Sequence, residues 1–254
     1  MRFENKVAII TAAGGGIGGA TARRVAAEGG RIFAVDRDPD SLEQLMRTLP
    51  SSRAHEARSV DCLKENEVRQ CVDRALQFGG GHIDILINGV GGSTLRPSQQ
   101  ASSVDELELE DWDELTEFNL NPTFLFCKHV LPHMKASRYG KVVNIASIAA
   151  RGDGLANAAY SAAKAGIISL TKRISREVGP YGVNCNAISP GLTETPRIVR
   201  HFNSLPAEGR AQMLAKVPLG RFATADDQAA AIAFLISEDA AFITGVTLDV
   251  TGGQ

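Results

Sequence analysis

The chain has 254 residues, of which 44% are hydrophobic and 22% charged, and its formal net charge is -2. Mixed charges of nearly balanced sign indicate a globular protein and offer no footprint for a nucleic acid or an anionic membrane. No apolar run reaches the roughly 18 residues of a membrane helix, and strand-like residues begin so early that we expect no signal peptide. The four cysteines are scattered. Their spacing predicts free thiols in a reducing, cytoplasmic compartment and no metal site.

The beginning of the chain has the pattern of a nucleotide-binding unit. Residues 6–11 (KVAIIT) predict a buried strand, a glycine-rich turn follows, and residues 16–28 predict a helix. Glycines allow backbone N–H groups to approach a pyrophosphate, and the positive end of the helix dipole favours its charge. The order of strand, glycine turn and helix therefore predicts a phosphate-binding loop.

An acidic residue ends the second predicted strand, 31–35. Asp36 lies about 20 residues past the glycine turn, where an acid can accept hydrogen bonds from an adenosine ribose and repel a 2′-phosphate. We therefore predict NAD rather than NADP. Arg37 is the opposing signal, because an arginine could pair with that phosphate. The alternative for Asp36 is an ordinary turn or helix-capping acid.

Strand-like and helical segments continue to alternate through the first half of the chain, which favours a parallel α/β sheet. Helices are predicted over 38–49 and 64–78, a strand over 52–60, and a fourth strand that ends at the NGVG turn of residues 88–91. Small residues after that strand would let a cofactor approach the backbone.

A polar loop is predicted over 92–105, followed by a helix that reaches Ser137. Asn119 lies inside this helix, where asparagine is locally unfavourable. Two interpretations have equal weight: a tolerated polar residue that faces solvent, or a local opening of the helix that exposes a carbonyl and holds a water.

A serine, a tyrosine and a lysine follow the fifth predicted strand, 140–145. Tyr160 and Lys164 are four residues apart on a predicted helix that runs to Val178, so they share one face. A phenol has a pKa near ~10 in water, and a nearby cation stabilises its charged form. Ser147 could donate its hydroxyl to a substrate oxygen. These residue types suit proton exchange with an alcohol or ketone, although a tyrosine four residues before a lysine usually marks an ordinary surface helix.

The last third predicts the substrate side of the site. A sixth strand is expected over 182–188, a helical lid over 196–217, a helix over 224–236 capped by Thr224 or Asp226, and a final strand over 246–250. An arginine in the lid could bind a carboxylate or phosphate of the substrate, with Arg96 and Arg151 as rivals on neighbouring loops. The alternative for the lid arginines is a solvated helix face.

Taken in order, these residues resemble the short-chain dehydrogenase/reductase family in its ordinary-length form, over nearly the whole chain. The chain departs from the family at Ala12, usually glycine, and at Gly89-Val90, usually Asn-Ala. Both replacements are small, so we expect altered loop packing rather than lost binding. The resemblance rests on the TAAGGGIG turn of residues 11–18, Asp36, Asp61, the NGVG turn, Asn119, Ser147, Tyr160, Lys164, Pro190-Gly191, Thr193 and Thr195.

The resemblance implies a Rossmann-like, doubly wound, seven-stranded parallel sheet of order 3-2-1-4-5-6-7 with helices on both faces. It implies a single domain over 1–254, in which about 1–91 bind mainly the cofactor. The remainder, about 92–254, would carry the catalytic and substrate-binding residues, with a lid over about 192–217. It also implies a homo-oligomer, a dimer or a homotetramer, with the Tyr160 helix among the contacts.

The resemblance further implies roles for individual residues. Tyr160 would be the general acid/base, Lys164 would lower its pKa and bind the nicotinamide ribose, Ser147 would orient the substrate oxygen, and Asn119 would hold a water as a proton relay. Substrate contacts are expected from Arg151, Asn157 and Arg197. Besides Tyr160 and Lys164, the expected cofactor contacts are Thr11, Gly14, Gly15, Gly16, Ile17, Asp36, Arg37, Asp61, Cys62, Asn88, Gly89, Pro190, Gly191, Thr193 and Thr195.

The expected activity is hydride transfer between NAD and a small or cyclic secondary alcohol or ketone, possibly carboxylated. One alternative is a 3-oxoacyl-thioester reductase of the acyl carrier protein type, which the same motifs would serve but which would more often use NADPH and a basic docking patch. Another is a catalytically silent nucleotide-sensing scaffold. The complete set of Asn119, Ser147, Tyr160 and Lys164 argues against the scaffold.

Overall fold

The structure, a computed structural model, describes residues 1–95, 99, 103–152 and 156–254. In this part of the chain the strands form one parallel sheet. In chain order they are β1 Val7–Thr11, β2 Arg31–Asp36, β3 Glu56–Ser59, β4 Ile85–Asn88, β5 Gly140–Ile145, β6 Val183–Pro190 and β7 Thr247–Val250. Their order across the sheet is β3-β2-β1-β4-β5-β6-β7, which confirms the predicted topology.

Helices connect the strands, and the described ones include none long and apolar enough to cross a membrane. Because each helix returns the chain to the same end of the sheet, consecutive strands run parallel. The helices are α1 Gly16–Ala27, α2 Pro39–Thr48, α3 Glu65–Gly79, α4 Leu109–Ser137, α5 Ala158–Val178, α6 Pro196–Ser204, α7 Ala207–Ala215 and α8 Ala225–Leu235.

The central strands are apolar on both faces, as expected for strands covered by helices on each side. Successive side chains of a strand point to opposite faces. Ile9 of β1 joins a core with Phe33, Leu86 and residues of α3, α4 and α5. Its neighbours Ala8 and Ile10 join a second core, with Ile32, Ile85 and residues of α1 and α8. All four cysteines are free and buried.

Helix caps agree with the sequence signals. Asp38 caps α2 by accepting a hydrogen bond from the Asp40 N–H. Thr224 and Asp227 form a reciprocal capping box at the start of α8. Of the two predicted caps, Thr224 is confirmed, and Asp226 lies within the first turn of the helix.

Two predicted segments are wrong in extent. The segment predicted as a helical lid over 196–217 forms two helices, α6 and α7, with a break between them. Pro206 lacks an N–H and restricts the residue before it, and Leu205 is accordingly extended, with ψ of 148°. The third strand is only Glu56–Ser59, because residues 51–53 form a turn and pairing with β2 begins at Glu56.

The carboxyl ends of the strands lie at one edge of the sheet because all the strands are parallel. That edge carries Thr11, Asp36, Asn88, Ile145 and Pro190 as the last residues of β1, β2, β4, β5 and β6. Open α/β sheets bind their ligands at this edge.

Candidate active site

The turn before α1 fits a diphosphate. Gly15 caps the helix without a side-chain hydrogen bond, and the first turn holds no acidic residue. A β-carbon on Gly15 or Gly16 would meet nothing within 4 Å. The backbone at the start of α1 therefore borders open space. The first N–H groups of a helix lack intrahelical partners, and they are the donor set that a pyrophosphate requires.

Close packing behind the turn explains a further glycine. A β-carbon on Gly18 would lie 2.2 Å from the Ala12 carbonyl oxygen, so no larger residue fits without moving the turn. Ala12 itself has a left-handed φ of +52°, a conformation that favours glycine and costs alanine about 1–2 kcal/mol. This is the physical meaning of the departure from the family at Ala12.

One pocket brings together four of the residues expected to contact the cofactor, among them Asp36, which is predicted to bind the adenosine ribose. Both Asp36 carboxylate oxygens accept backbone hydrogen bonds, Oδ2 from Gly14 at 3.0 Å and Oδ1 from Asp38 at 3.2 Å. Each oxygen has capacity for a further donor. Burial raises the pKa of the Cys62 thiol to about 12, so the thiol that lines this pocket is uncharged at neutral pH. The lining residues include Asp36, Arg37, Asp61, Cys62, Val90 and Phe118.

Thr11, Asn88 and Gly89 join neighbouring strands. The Thr11 hydroxyl donates to the Ile87 carbonyl at 3.3 Å and accepts from the Gly89 N–H at 2.9 Å. The Asn88 amide donates to the Asn144 Oδ1 at 2.8 Å. Thr11 and Asn88 are buried, so their side chains set the spacing of β1, β4 and β5 at the site.

Lys164 is the buried cation of the site. Its Nζ donates to the carbonyl of Ile145, the last residue of β5, at 2.9 Å. The same Nζ lies 5.7 Å from the centroid of the Tyr160 ring. Burial lowers the pKa of Lys164 to about 8, since a charged amine is less stable away from water. The sequence spacing of four residues thus places ammonium and phenol on one face of α5.

Asn119 closes the site from α4. Its Oδ1 accepts from the Gly92 N–H at 2.9 Å, and its Nδ2 donates to the Gly92 and Leu115 carbonyls at 3.0 and 2.9 Å. The side chain is fully buried and α4 is continuous through it. The predicted solvent-facing amide is therefore wrong. The local opening that exposes a carbonyl and holds a water stays a prediction; Pro122 of α4 has no N–H to bond the Phe118 carbonyl.

The backbone after β4 links Asn119 to Lys164. A β-carbon on Gly91 would lie 2.6 Å from the Asn119 Oδ1 and 2.7 Å from the Lys164 Nζ. Both polar atoms therefore crowd the same glycine. Gly91 is required by this contact as much as by any cofactor approach.

Ser147 and Tyr160 complete the cluster. Ser147 is half-buried just beyond β5, where its Oγ accepts from the Ala149 N–H at 3.2 Å. Its hydroxyl proton can rotate towards a ligand. Tyr160 is half-buried in the first turn of α5. A hydroxyl, a phenol and an ammonium thus gather at the carboxyl edge of β5, an arrangement suited to moving a proton.

The segment Pro190–Thr195 follows β6 at the same edge. Thr193 forms a parallel bridge with Ala223, in which Ala223 bonds the Leu192 carbonyl and the Glu194 N–H at 3.0 and 2.8 Å. In such a bridge the N–H and C=O of Thr193 point away from Ala223. They form a donor and acceptor pair that matches a primary carboxamide. Thr195 caps α6.

The expected substrate contacts are the least supported by the geometry. Arg151 forms an ion pair with Asp249. Asn157 caps α5 through its bond from Ala159 and donates to the Gln99 carbonyl at 3.3 Å. The Arg197 side chain and all of Arg96 lie outside the described residues. Substrate binding by these four residues stays a prediction.

Sequence reasoning missed contacts made by the backbone and by ring faces. The Ile145 carbonyl that anchors Lys164 has no sequence signal, because every residue has a carbonyl. Phe118 lines the same pocket as Asp36, and its ring centroid lies 6.0 Å from the Arg37 guanidinium. Its only signal in the sequence is an aromatic residue directly before Asn119.

Comparison with known proteins finds a matching family model and similar proteins over nearly the whole chain. A family model described as enoyl-(acyl carrier protein) reductase matches residues 11–254. The 7α-hydroxysteroid dehydrogenase of Bacteroides fragilis is 37% identical, over 99% of this chain and 95% of that protein. The crystal structure of levodione reductase is 30% identical with a TM-score of 0.92, covering 100% of this chain and 98% of that one. The structure of NAD+-bound xylitol dehydrogenase is 30% identical with a TM-score of 0.91, covering 100% of both chains.

The chain belongs to the short-chain dehydrogenase/reductase family. It is accordingly an oxidoreductase of a family that uses a nicotinamide cofactor and acts on alcohols and ketones. Three features fit such a cofactor: the glycine turn, the pocket at Asp36, and the Thr193 N–H and C=O, which match a primary carboxamide.

Replacing Ala12 by glycine is predicted to stabilise the protein. Glycine adopts the left-handed φ without strain but raises the entropy of the unfolded chain, so we expect a net gain of about 1 kcal/mol and a melting temperature about 2–4 °C higher. Differential scanning calorimetry measures the melting temperature. Ala27→Gly, at an exposed helical position of α1, is the control and should destabilise the protein. A loss of stability in Ala12→Gly would contradict the strain at residue 12.

Lys164→Met is predicted to change stability in a pH-dependent way. The pKa of Lys164 is lowered from 10.5 to about 8 in the folded chain, so the unfolded chain binds this proton more tightly. The lysine therefore destabilises the fold fully below pH 8, and this effect is lost as the pH rises to 10.5. We expect the variant to exceed wild type by about 3 kcal/mol at neutral pH and to match it near pH 10.5 in urea unfolding.

Lys172→Met, at an exposed position on the same helix, is the control for that experiment. Its stability difference from wild type should not change over the same pH range. A pH-independent difference for Lys164→Met would contradict a buried ammonium.

Proposed function

We propose that this chain is an NAD-dependent oxidoreductase that transfers a hydride between a secondary alcohol or its ketone and nicotinamide, with Tyr160 as general acid/base. The observation that carries the proposal is the buried Lys164 ammonium, bonded to the Ile145 carbonyl and 5.7 Å from the Tyr160 ring centroid. A fixed cation at that distance favours the phenolate and makes the phenol a usable base near neutral pH.

The neighbouring residues have complementary tasks in this proposal. When bound, the nicotinamide supplies the hydride acceptor or donor. Tyr160 exchanges a proton with the substrate oxygen, and the Ser147 hydroxyl donates to the same oxygen and orients it. Lys164 also has donors for the nicotinamide ribose. Asn119 bonds the Gly92 N–H, and together with Lys164 it lies against Gly91. It thereby positions the path by which a water relays the proton to solvent.

Asp36 supports NAD as the cofactor. Its carboxylate lines the adenosine pocket, where a ribose diol can donate to it and a 2′-phosphate would meet its charge. Arg37 lies at the same pocket with its guanidinium near Phe118, and this cation is the feature that would favour NADP.

A small or cyclic secondary alcohol, possibly carboxylated, is the proposed substrate. The names of the hydroxysteroid, levodione and xylitol enzymes support an alcohol or ketone. A second candidate is an acyl-thioester substrate on a carrier protein, which the description of the matching family model favours. An NADPH preference, together with turnover of an acyl thioester but of no simple alcohol, would favour the second candidate.

We also propose a cytoplasmic homo-oligomer, a dimer or tetramer. Apolar side chains exposed around the edge strand β7, Phe242 and Val246 among them, support association. Sedimentation velocity measures the oligomeric state, and a monomer would contradict the proposal.

Tyr160→Phe is predicted to remove turnover and keep cofactor binding. Loss of the phenolic proton donor lowers kcat by about 10²–10⁴-fold, while NAD binding measured by calorimetry stays near wild type. Tyr181→Phe, at an exposed tyrosine far along the chain, is the control and should retain activity. Wild-type turnover in Tyr160→Phe would overturn the assignment.

Asp36→Asn is predicted to weaken the discrimination between NAD and NADP. The amide keeps an acceptor for the Gly14 N–H but removes the charge that repels a phosphate. We expect the ratio of kcat/KM for NAD to that for NADP to exceed one in wild type and to fall by about tenfold in the variant. A wild-type preference for NADP, or an unchanged ratio, would contradict the role of Asp36.

A further inference from the structure

A glutamine in the core supports the segment Pro190–Thr195 from below. Gln228 is the fourth residue of α8 and is fully buried. Its Nε2 donates to the Thr193 Oγ1 at 3.2 Å and to the Val250 carbonyl at 2.9 Å. One amide group therefore connects α8, the end of β7 and the segment after β6.

The bond from Gln228 occupies the Thr193 hydroxyl, so the groups of Thr193 that can bind a ligand are those of its backbone. The Thr193 hydroxyl donates to the Gly191 carbonyl at 3.0 Å and accepts from Gln228. Its side chain is buried and faces the core contact. The backbone N–H and C=O of Thr193, in contrast, are directed away from Ala223.

The same contact reaches Gly191. The Val250 carbonyl accepts from the Gly191 N–H at 3.1 Å as well as from Gln228. The next residue, Leu192, donates its N–H to the Gln254 Oε1 at 2.9 Å. Two glutamine side chains thus bond the consecutive residues Leu192 and Thr193, and the Val250 carbonyl that Gln228 bonds also holds Gly191. Gln228 is the glutamine that is wholly inside the core.

Packing alone does not account for a glutamine at this position. The Gln228 Oε1 has no hydrogen-bond partner among the described residues, and a buried unpaired carbonyl oxygen destabilises a fold. Leucine has a similar volume and would fill the same space without that penalty. What leucine cannot do is donate to Thr193 and Val250.

We propose that Gln228 is a positioning residue for the nicotinamide half of the cofactor. Its amide holds Pro190–Thr195 so that the Thr193 N–H and C=O are set to pair with a carboxamide. This inference rests on the proposed use of a nicotinamide cofactor and assigns a role to a residue that touches neither cofactor nor substrate. Preorganisation of this kind raises affinity because the segment need not be ordered on binding.

The test compares two ligands that share the adenosine half. Calorimetry measures the Kd of NADH and of ADP-ribose, which lacks the nicotinamide, for wild type, Gln228→Leu and Thr193→Val. We expect each variant to bind NADH about five- to tenfold more weakly and ADP-ribose as wild type does. The double variant should bind NADH no more weakly than either single one, because each removes the same contact.

Thermal unfolding and kinetics separate positioning from general damage. Gln228→Leu should melt at or above the wild-type temperature and raise KM for NAD more than it lowers kcat. Ser237→Ala is the control, since it removes another buried hydrogen bond at the far end of α8; it should leave both Kd values unchanged. Equal weakening of NADH and ADP-ribose in Gln228→Leu, or no weakening of either, would overturn the positioning role.

The outcomes also distinguish this inference from the proposed function. If wild type binds neither NADH nor ADP-ribose, the nicotinamide proposal fails and the role of Gln228 fails with it. If wild type binds both and the variants bind NADH normally, only the role of Gln228 fails.

Discussion

The site depends on one buried ion and one backbone carbonyl. The Lys164 ammonium lies in the core against the Ile145 carbonyl, where burial lowers its pKa to about 8. A buried charge destabilises the fold unless hydrogen bonds or an opposite charge compensate for the lost water. The β5 end supplies a dipole, and the phenol of Tyr160 supplies a group whose charged form the ammonium can stabilise. The remaining elements of the site hold these three groups in place.

The support comes from both cores of the sheet. The β1, β4 and β5 ends are joined through Thr11, Asn88 and Asn144, and Asn119 binds the backbone of Gly92 from α4. The Asn119 Oδ1 and the Lys164 Nζ both lie against Gly91, and this contact fixes the position of the ammonium. On the opposite side of the edge, α8 reaches Pro190–Thr195 through Gln228. The groups of the proposed catalytic cluster are thus held by strands and helices.

Much of this arrangement could be predicted from residue patterns, because hydrophobic periodicity and the residues that end helices and strands depend only on nearby sequence. Alternating strands and helices predicted the parallel sheet, and a four-residue spacing placed Tyr160 beside Lys164. The contacts of Asn119 could not be predicted, because they depend on where a distant glycine loop returns to α4. Gln228 resembled any polar residue of an amphipathic helix, and its partners are 35 and 22 residues away. The break between α6 and α7 at Pro206 could be predicted from the proline, although the helical pattern around it was given more weight.

The central claim is that this edge of the sheet transfers a hydride while Tyr160 moves a proton. The most direct measurement uses a secondary alcohol with deuterium on the carbinol carbon, chosen from a panel of cyclic, aromatic, acyl and carboxylated alcohols by NAD reduction. Mass spectrometry of the reduced cofactor then locates the label. The account predicts that the deuterium appears in the nicotinamide ring with wild type and that Tyr160→Phe forms no labelled cofactor. Reduced cofactor without the label, or no reduction with any alcohol of the panel, would contradict it.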